Sequence, residues 1–384
     1  LKKIIQLNLF SMKFYPLFLS FLFFSSQSPA QDFSKIDAQA RQVAAPENND
    51  IAALSKALSA GCQNEKEKAR SFFVWMAENI RYDMKTFSDM GAISAEKAHT
   101  MQAPEEVLKR KKAVCDGYTN LYNALCTKAG IRALKVIGLA KDETSEHTNN
   151  SHAWSIICAD GQWALVDATW GTGYEDVRAG KYRQKLDDKY FFTIPDLLIE
   201  DHYPNDPLFQ CMATPLTLAE FFQSSTKLQE SIQQKILGDT VAGYTHIRDS
   251  LNALFPYDST NFMRGSGKRS LQINPNSYYG CWALGSYYDR LATNLWNDHN
   301  RALIAIKPNS PAPGNPWFEK QEMILKQWET NSTRSLHILK IATGTDDGYV
   351  DEVRSLIKYA QSSLDTCHKQ MAQIKRYKAE TQKR

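Results

Sequence analysis

His152-Ala153-Trp154-Ser155-Ile156-Ile157-Cys158-Ala159-Asp160-Gly161-Gln162-Trp163-Ala164-Leu165-Val166-Asp167-Ala168-Thr169-Trp170 runs one strand-like segment into another through Asp160-Gly161. Asp-Gly between apolar segments is a strong signal for a two-residue hairpin loop, and a loop of that length fixes the register. Ala159 then faces Gln162, Trp154 faces Asp167 and His152 faces Thr169. Side chains alternate between the faces of a strand, so His152, Trp154, Asp167 and Thr169 share one face. His152 and Asp167 become diagonal neighbours with Cα atoms ~7–8 Å apart, within side-chain reach. A carboxylate there can fix the tautomer of an imidazole and stabilise its cation.

Upstream, Val114-Cys115-Asp116-Gly117-Tyr118-Thr119 opens a helical period that continues through Leu121, Tyr122 and Leu125 to Ala129, with Gly130 as the C-terminal cap. Cys115 falls in the first turn, where free N–H groups and the helix dipole favour a thiolate. A lone cysteine is more often a small buried hydrophobe. Cys115 together with an oriented His152 is instead the arrangement for nucleophilic acyl transfer. His147, in a polar loop beside Asn149 and Asn150, is the rival imidazole.

Around this core, helical periodicity is expected over 65–80. Strands are expected at 133–139, 152–158, 163–168 and 190–194. Helices followed by a run of strands predict an α+β domain with an antiparallel sheet. Residues 31–64 read as a helical segment broken at Pro46 and Asn48-Asn49-Asp50. Beyond 213 the pattern is all-α: Thr217 and Glu220 have capping-box spacing, and long helices are expected over 278–297, 318–341 and 349–378. The predicted organisation is therefore a leader over 1–30, a helical segment over 31–64, the α+β domain over 65–212 and a helical C-terminal domain over 213–384.

The leader combines Lys2, Lys3 and Lys13 with the apolar run Tyr15 to Phe24 and a Ser25–Ala30 stretch of small residues. This is the pattern of a secretory signal peptide, with residues 1–11 a candidate over-extended start. The apolar run is half of what a bilayer-spanning helix needs, about 20 residues. Secretion or a periplasmic location is expected, without stable membrane insertion after cleavage. With the three leader lysines set aside, 43 basic residues meet 42 acidic ones, which gives no general case for nucleic acid. The six basic residues between His368 and Arg384 read as a solvated helix end. Seven cysteines, spread without metal-ligand spacing, predict neither a disulfide scaffold nor a metal centre.

Cys115-Asp116-Gly117-Tyr118, His152-Ala153-Trp154 and Asp167-Ala168-Thr169-Trp170 resemble, in that order, the three motifs of the transglutaminase-like superfamily. Tyr190-Phe191-Phe192 and His202-Tyr203-Pro204 resemble its branch containing kyphoscoliosis peptidase. The resemblance covers about residues 65–212. It implies a papain-like α+β fold with Cys115 as nucleophile, His152 as general base and acid, and Asp167 as the group orienting it. Gln102 stands upstream, as a glutamine does in papain-like enzymes, and is a candidate oxyanion donor beside the Cys115 N–H, although a solvated loop position suits it better. Trp154 and Trp170 are candidates for an acyl pocket or for core. His202 is expected to be structural.

The expected activity is an exported cysteine peptidase or amidase that forms a thioester at Cys115 and needs no cofactor. Transfer to an amine, as in a protein-glutamine transglutaminase, is the alternative within the same chemistry. No acidic ligand series of a calcium loop occurs. The alternative outside enzymology is a scaffold that binds a peptide or an envelope component. Expected partners are a protein or peptide substrate, and a protein docked on the helical domain.

Overall fold

The computed structural model describes residues 31–89, 92–141, 150–176, 181–306, 311–342 and 348–383. The leader over 1–30 and His147 lie outside the described residues. Among the described residues no helix is long and apolar enough to cross a membrane.

The centre is a five-stranded antiparallel sheet made of β1 (Arg132–Ala140), β2 (Asn150–Ala159), β3 (Gln162–Val166), β4 (Phe191–Thr193) and β5 (His202–Pro204), in the order β4-β3-β2-β1-β5. Asp160 and Gly161 both take positive φ, +52° and +77°, as a type I′ loop requires. The expected register holds from Ala159↔Gln162 to Ser155↔Val166. The Asp160 carboxylate also accepts the Glu65 and Lys66 N–H groups at 3.0 and 3.1 Å, while Glu65 accepts the Asp160 N–H. The turn that sets the register thus satisfies free donors at the start of helix Glu65–Asn79.

One face of the sheet is covered by helices Glu65–Asn79 and Cys115–Lys128, with Ile51–Ser59 packed against both. Phe72, Phe73, Met76, Tyr118, Tyr122 and Leu125 pack there against Ile157, Ala159 and Val166. The segment 31–64 holds helices Ser34–Ala40 and Ile51–Ser59, with Asp50 capping the second through the Ala52 and Ala53 N–H groups. Cys115–Lys128 ends at Gly130, whose φ of +84° lets the Ile131 N–H reach the Cys126 carbonyl.

The other face carries Leu134, Val136, Trp154, Ile156, Trp163 and Leu165, and helix Val241–Asn252 closes it with Tyr244, Ile247 and Leu251. Packing therefore crosses the expected boundary at 213. Arg269 of helix Ser259–Ile273 also pairs with the buried Asp206 carboxylate, 2.8 Å from its Nε. Among the described residues the region beyond is mostly helical, as expected. Helix Leu218–Phe221 opens with the Thr217/Glu220 capping box, and Tyr278–Ile304, Asn315–Leu339 and Val350–Thr381 are the three long helices. Ser225–Gly238, Val241–Asn252 and Ser259–Ile273 are further helices that the pattern did not separate. Among the described residues no two cysteines are joined in a disulfide.

Candidate active site

The β2–β3 ladder ends at Val166. The expected pairs Trp154–Asp167 and His152–Thr169 are therefore not ladder pairs. A register shift lies at Leu165/Val166, where β3 meets β4, and the Asp167 N–H bonds to the Tyr190 carbonyl. Asp167 Oδ1 then accepts the N–H groups of Thr169 and Trp170 at 2.7 and 3.2 Å, turning the chain into a short 3₁₀ segment. That turn leaves Oδ2 free to face the sheet, and it stands 2.8 Å from His152 Nε2. The contact expected from the hairpin exists, built from a side chain one residue past the paired strand.

Cys115 is the first residue of helix Cys115–Lys128 and is partly exposed. Four residues on, the Thr119 hydroxyl is 2.9 Å from both the Cys115 carbonyl and the Ala153 carbonyl. This ties the first turn of the helix to β2 beside His152. The Cys115 thiol acts on the imidazole as well as Asp167 does, both favouring its charged form. Since Nε2 faces Asp167, Nδ1 is the nitrogen left for the sulfur. Burial disfavours a charged imidazole here, but Asp167 and Cys115 outweigh it and raise the His152 pKa to about 10. For Asp167, burial alone would favour the neutral acid, and the two neighbouring imidazoles instead hold its carboxyl well below the usual range.

Gln102 is no solvated loop residue. It caps helix Ala95–Met101, is 2% exposed, and its Oε1 accepts the Val114 N–H at 3.2 Å. Its Nε2 has no partner among the described residues. Gly117 explains how the amide fits: a Cβ there would meet Gln102 Oε1 at 2.3 Å, Ala113 Cβ at 2.8 Å and Val107 at 2.9 Å. The short helices that bring Gln102 to the Cys115 turn, at 84–88, 95–101 and 104–110, carry no periodicity long enough to read from sequence.

Trp154 is 1% exposed, so it walls the imidazoles and does not line an open acyl pocket. Its ring stacks 6.0 Å from His152, and Gly138 of β1 makes room, since a Cβ there would lie 2.7 Å from the indole. Trp170, partly exposed, packs 5.4 Å from His152 and 4.6 Å from His202. His202 sits on β5 with Nε2 3.0 Å from the same Asp167 Oδ2. Asp201 adjoins its Nδ1.

His152, Asp167 and His202 offer ligand-type atoms within 4.8 Å of one another. The 2.8 and 3.0 Å separations are hydrogen-bond distances, shorter than the roughly 3.3 Å between two ligands of a tetrahedral zinc with bonds of about 2.0–2.1 Å. The two imidazoles each bond to one oxygen of Asp167 rather than frame an ion with it.

A thiol at a helix start, an imidazole on the adjacent strand and a carboxylate behind it, in this chain order, belong to the transglutaminase-like class. Residues 52–168 match the model of the Transglutaminase-like superfamily, and this region is similar to the branch that includes kyphoscoliosis peptidase. It is 32% identical over 196 residues to human kyphoscoliosis peptidase, covering 50% of this chain and 28% of that protein. To Hillarin of Drosophila melanogaster it is 25% identical over 206 residues, covering 50% and 24%. The chain thus spans under a third of the length of these relatives. A solved structure of a TGase aligns over 44% of this chain and 40% of its own at 19% identity, with a TM-score of 0.27.

Proposed function

We propose that the protein is an exported cysteine peptidase or amidase acting on peptide or side-chain amides. The observation that carries this reading is the single imidazole bonded to the Asp167 carboxylate, on the strand to which the helix start bearing the Cys115 thiol is tied. With the Nε2 proton directed at Asp167, Nδ1 is the nitrogen that exchanges a proton with sulfur. The Cys115 thiolate attacks the amide carbonyl carbon. The C–N bond then breaks as His152 Nδ1 gives its proton to the departing amine, leaving a thioester. Water attacks the thioester while Nδ1 takes its proton, the C–S bond breaks, and the carboxylic acid leaves.

The developing oxyanion faces the Cys115 N–H, free at a helix start, and the unpartnered Gln102 Nε2. A buried amide N–H without a partner is costly unless a ligand satisfies it. Trp170, the more exposed of the two tryptophans, is the one placed to meet substrate. Export rests on the leader pattern over 1–30 and is tested by sequencing the N-terminus of secreted material, which should start near Gln31.

The test of the activity is a mass-spectrometric screen of a peptide library with wild type and Cys115→Ala, with and without a primary amine. Products gaining water only with wild type support hydrolysis. Products gaining the amine instead would reassign the protein to transamidation, and identical digests from both proteins would reduce it to a binding scaffold.

A further inference from the structure

We propose that His202 is a positioning residue for the Cys115–His152 pair, acting through Asp167 as a second proton donor to the oxygen on which His152 relies. The inference rests on the reading that Cys115 and His152 are the reacting pair.

His202 is 1% exposed. Its Nε2 lies 3.0 Å from Asp167 Oδ2, and that oxygen is 2.8 Å from His152 Nε2. Its Nδ1 is hydrogen-bonded to Asp201 Oδ1, and Asp201 Oδ2 is 2.9 Å from the Lys189 ammonium. An ionised carboxylate only accepts hydrogen bonds, and a neutral imidazole has one N–H to give. Both contacts are satisfied together only when both nitrogens of His202 donate, which makes it an imidazolium between two acids. Burial acts against ionised Asp201, but His202 and Lys189 prevail and lower its pKa.

Asp167 does not need His202 to hold its orientation, because the Thr169 and Trp170 N–H groups already fix Oδ1. What His202 adds is charge. A cation on the shared oxygen tempers the pull of Asp167 on His152, whose ring centroid is 5.2 Å away. The groups facing His202 are Asp201 on its own segment, Asp167 and His152 across the sheet, and the Tyr190 phenol, with its ring at 6.0 Å. The indoles of Trp154 and Trp170, at 5.1 and 4.6 Å, complete the wall without charge. Little water reaches this site to screen the interaction. Loss of the cation should therefore move both proton-binding steps of the Cys115–His152 pair to higher pH.

The test is the pH dependence of iodoacetamide alkylation at Cys115 in the full chain, read by mass spectrometry, for wild type and His202→Gln. Glutamine can still donate an N–H to Asp167 but carries no charge. The acid-limb midpoint should rise by half a pH unit or more in the variant. Labelling slowed by one factor at every pH, with the midpoint unmoved, is what a merely structural residue would give and overturns the inference. A second measurement needs no variant: with ¹⁵N-histidine resonances assigned on the wild type, His202 should carry protons on both nitrogens at neutral pH, and a single proton overturns the inference. A wild type without any low-pH thiolate limb would overturn the Cys115–His152 reading and this inference with it. A limb present in wild type and unmoved in His202→Gln overturns this inference alone.

Discussion

Asp289, in helix Tyr278–Ile304, is 5% exposed, and among the described residues neither carboxylate oxygen makes a hydrogen bond of normal geometry. Burial raises its pKa from 3.8 to about 6, and the nearby Ser335 hydroxyl offsets this only in part. A carboxyl whose folded pKa lies above its unfolded one stabilises the fold when protonated, and that stability is lost as pH rises from about 4 through about 6. A gap of roughly 2 pH units at 1.36 kcal/mol each makes the ionised group cost about 3 kcal/mol at pH 7.5, and only about 1 kcal/mol at pH 4.5. Asp289→Asn keeps the shape and cannot ionise. Urea denaturation monitored by circular dichroism should find the variant more stable than wild type by about 1 kcal/mol at pH 4.5 and about 3 kcal/mol at pH 7.5. An equal difference at the two pH values would refute the assignment of a buried, uncompensated charge to Asp289.

Gly138→Ala places a methyl 2.0 Å from the Tyr203 carbonyl and 2.7 Å from the Trp154 ring; the melting temperature should fall by an amount equivalent to at least 1–3 kcal/mol. Gln102→Ala should cut thioester formation on a peptide amide by about 10²–10³, as removal of an oxyanion donor does elsewhere. It should leave iodoacetamide alkylation of Cys115, which develops no oxyanion, within about threefold; equal losses in both assays would assign Gln102 to packing. Asp167→Asn turns an N–H₂ group toward His152 Nε2 and so reverses the tautomer. Turnover should drop by about 10⁴, as it does when a triad aspartate is so replaced, and retention of activity would exclude Asp167 from the triad.

The hairpin was legible because a two-residue turn constrains every pair it leads into, and Ser155↔Val166 falls where the arithmetic puts it. Asp167 was foreseen as a partner of His152 but not the means. The capping of Thr169 and Trp170 by Oδ1 depends on the chain leaving the sheet after Val166, and strand alternation does not signal that. Gln102 and His202 were legible only as members of motifs. Gln102 reaches the helix through three short turns of chain and a contact that needs Gly117 bare. His202 arrives on a three-residue strand paired to the far edge of β1. Helix Val241–Asn252 was hidden for another reason: its apolar stripe looks the same whether it faces other helices or a sheet, and only Leu134, Trp163 and their neighbours on the opposite side reveal the difference.

Whether Cys115 is a nucleophile poised by His152 is tested most directly by its alkylation rate with iodoacetamide at pH 6, in wild type and in His152→Ala. The predicted result is selective modification of Cys115 in the folded protein, faster than for a cysteine in an unfolded chain, and slowed when the imidazole is removed. Labelling of wild-type Cys115 no faster than in the unfolded chain, or indifferent to His152, would contradict the account.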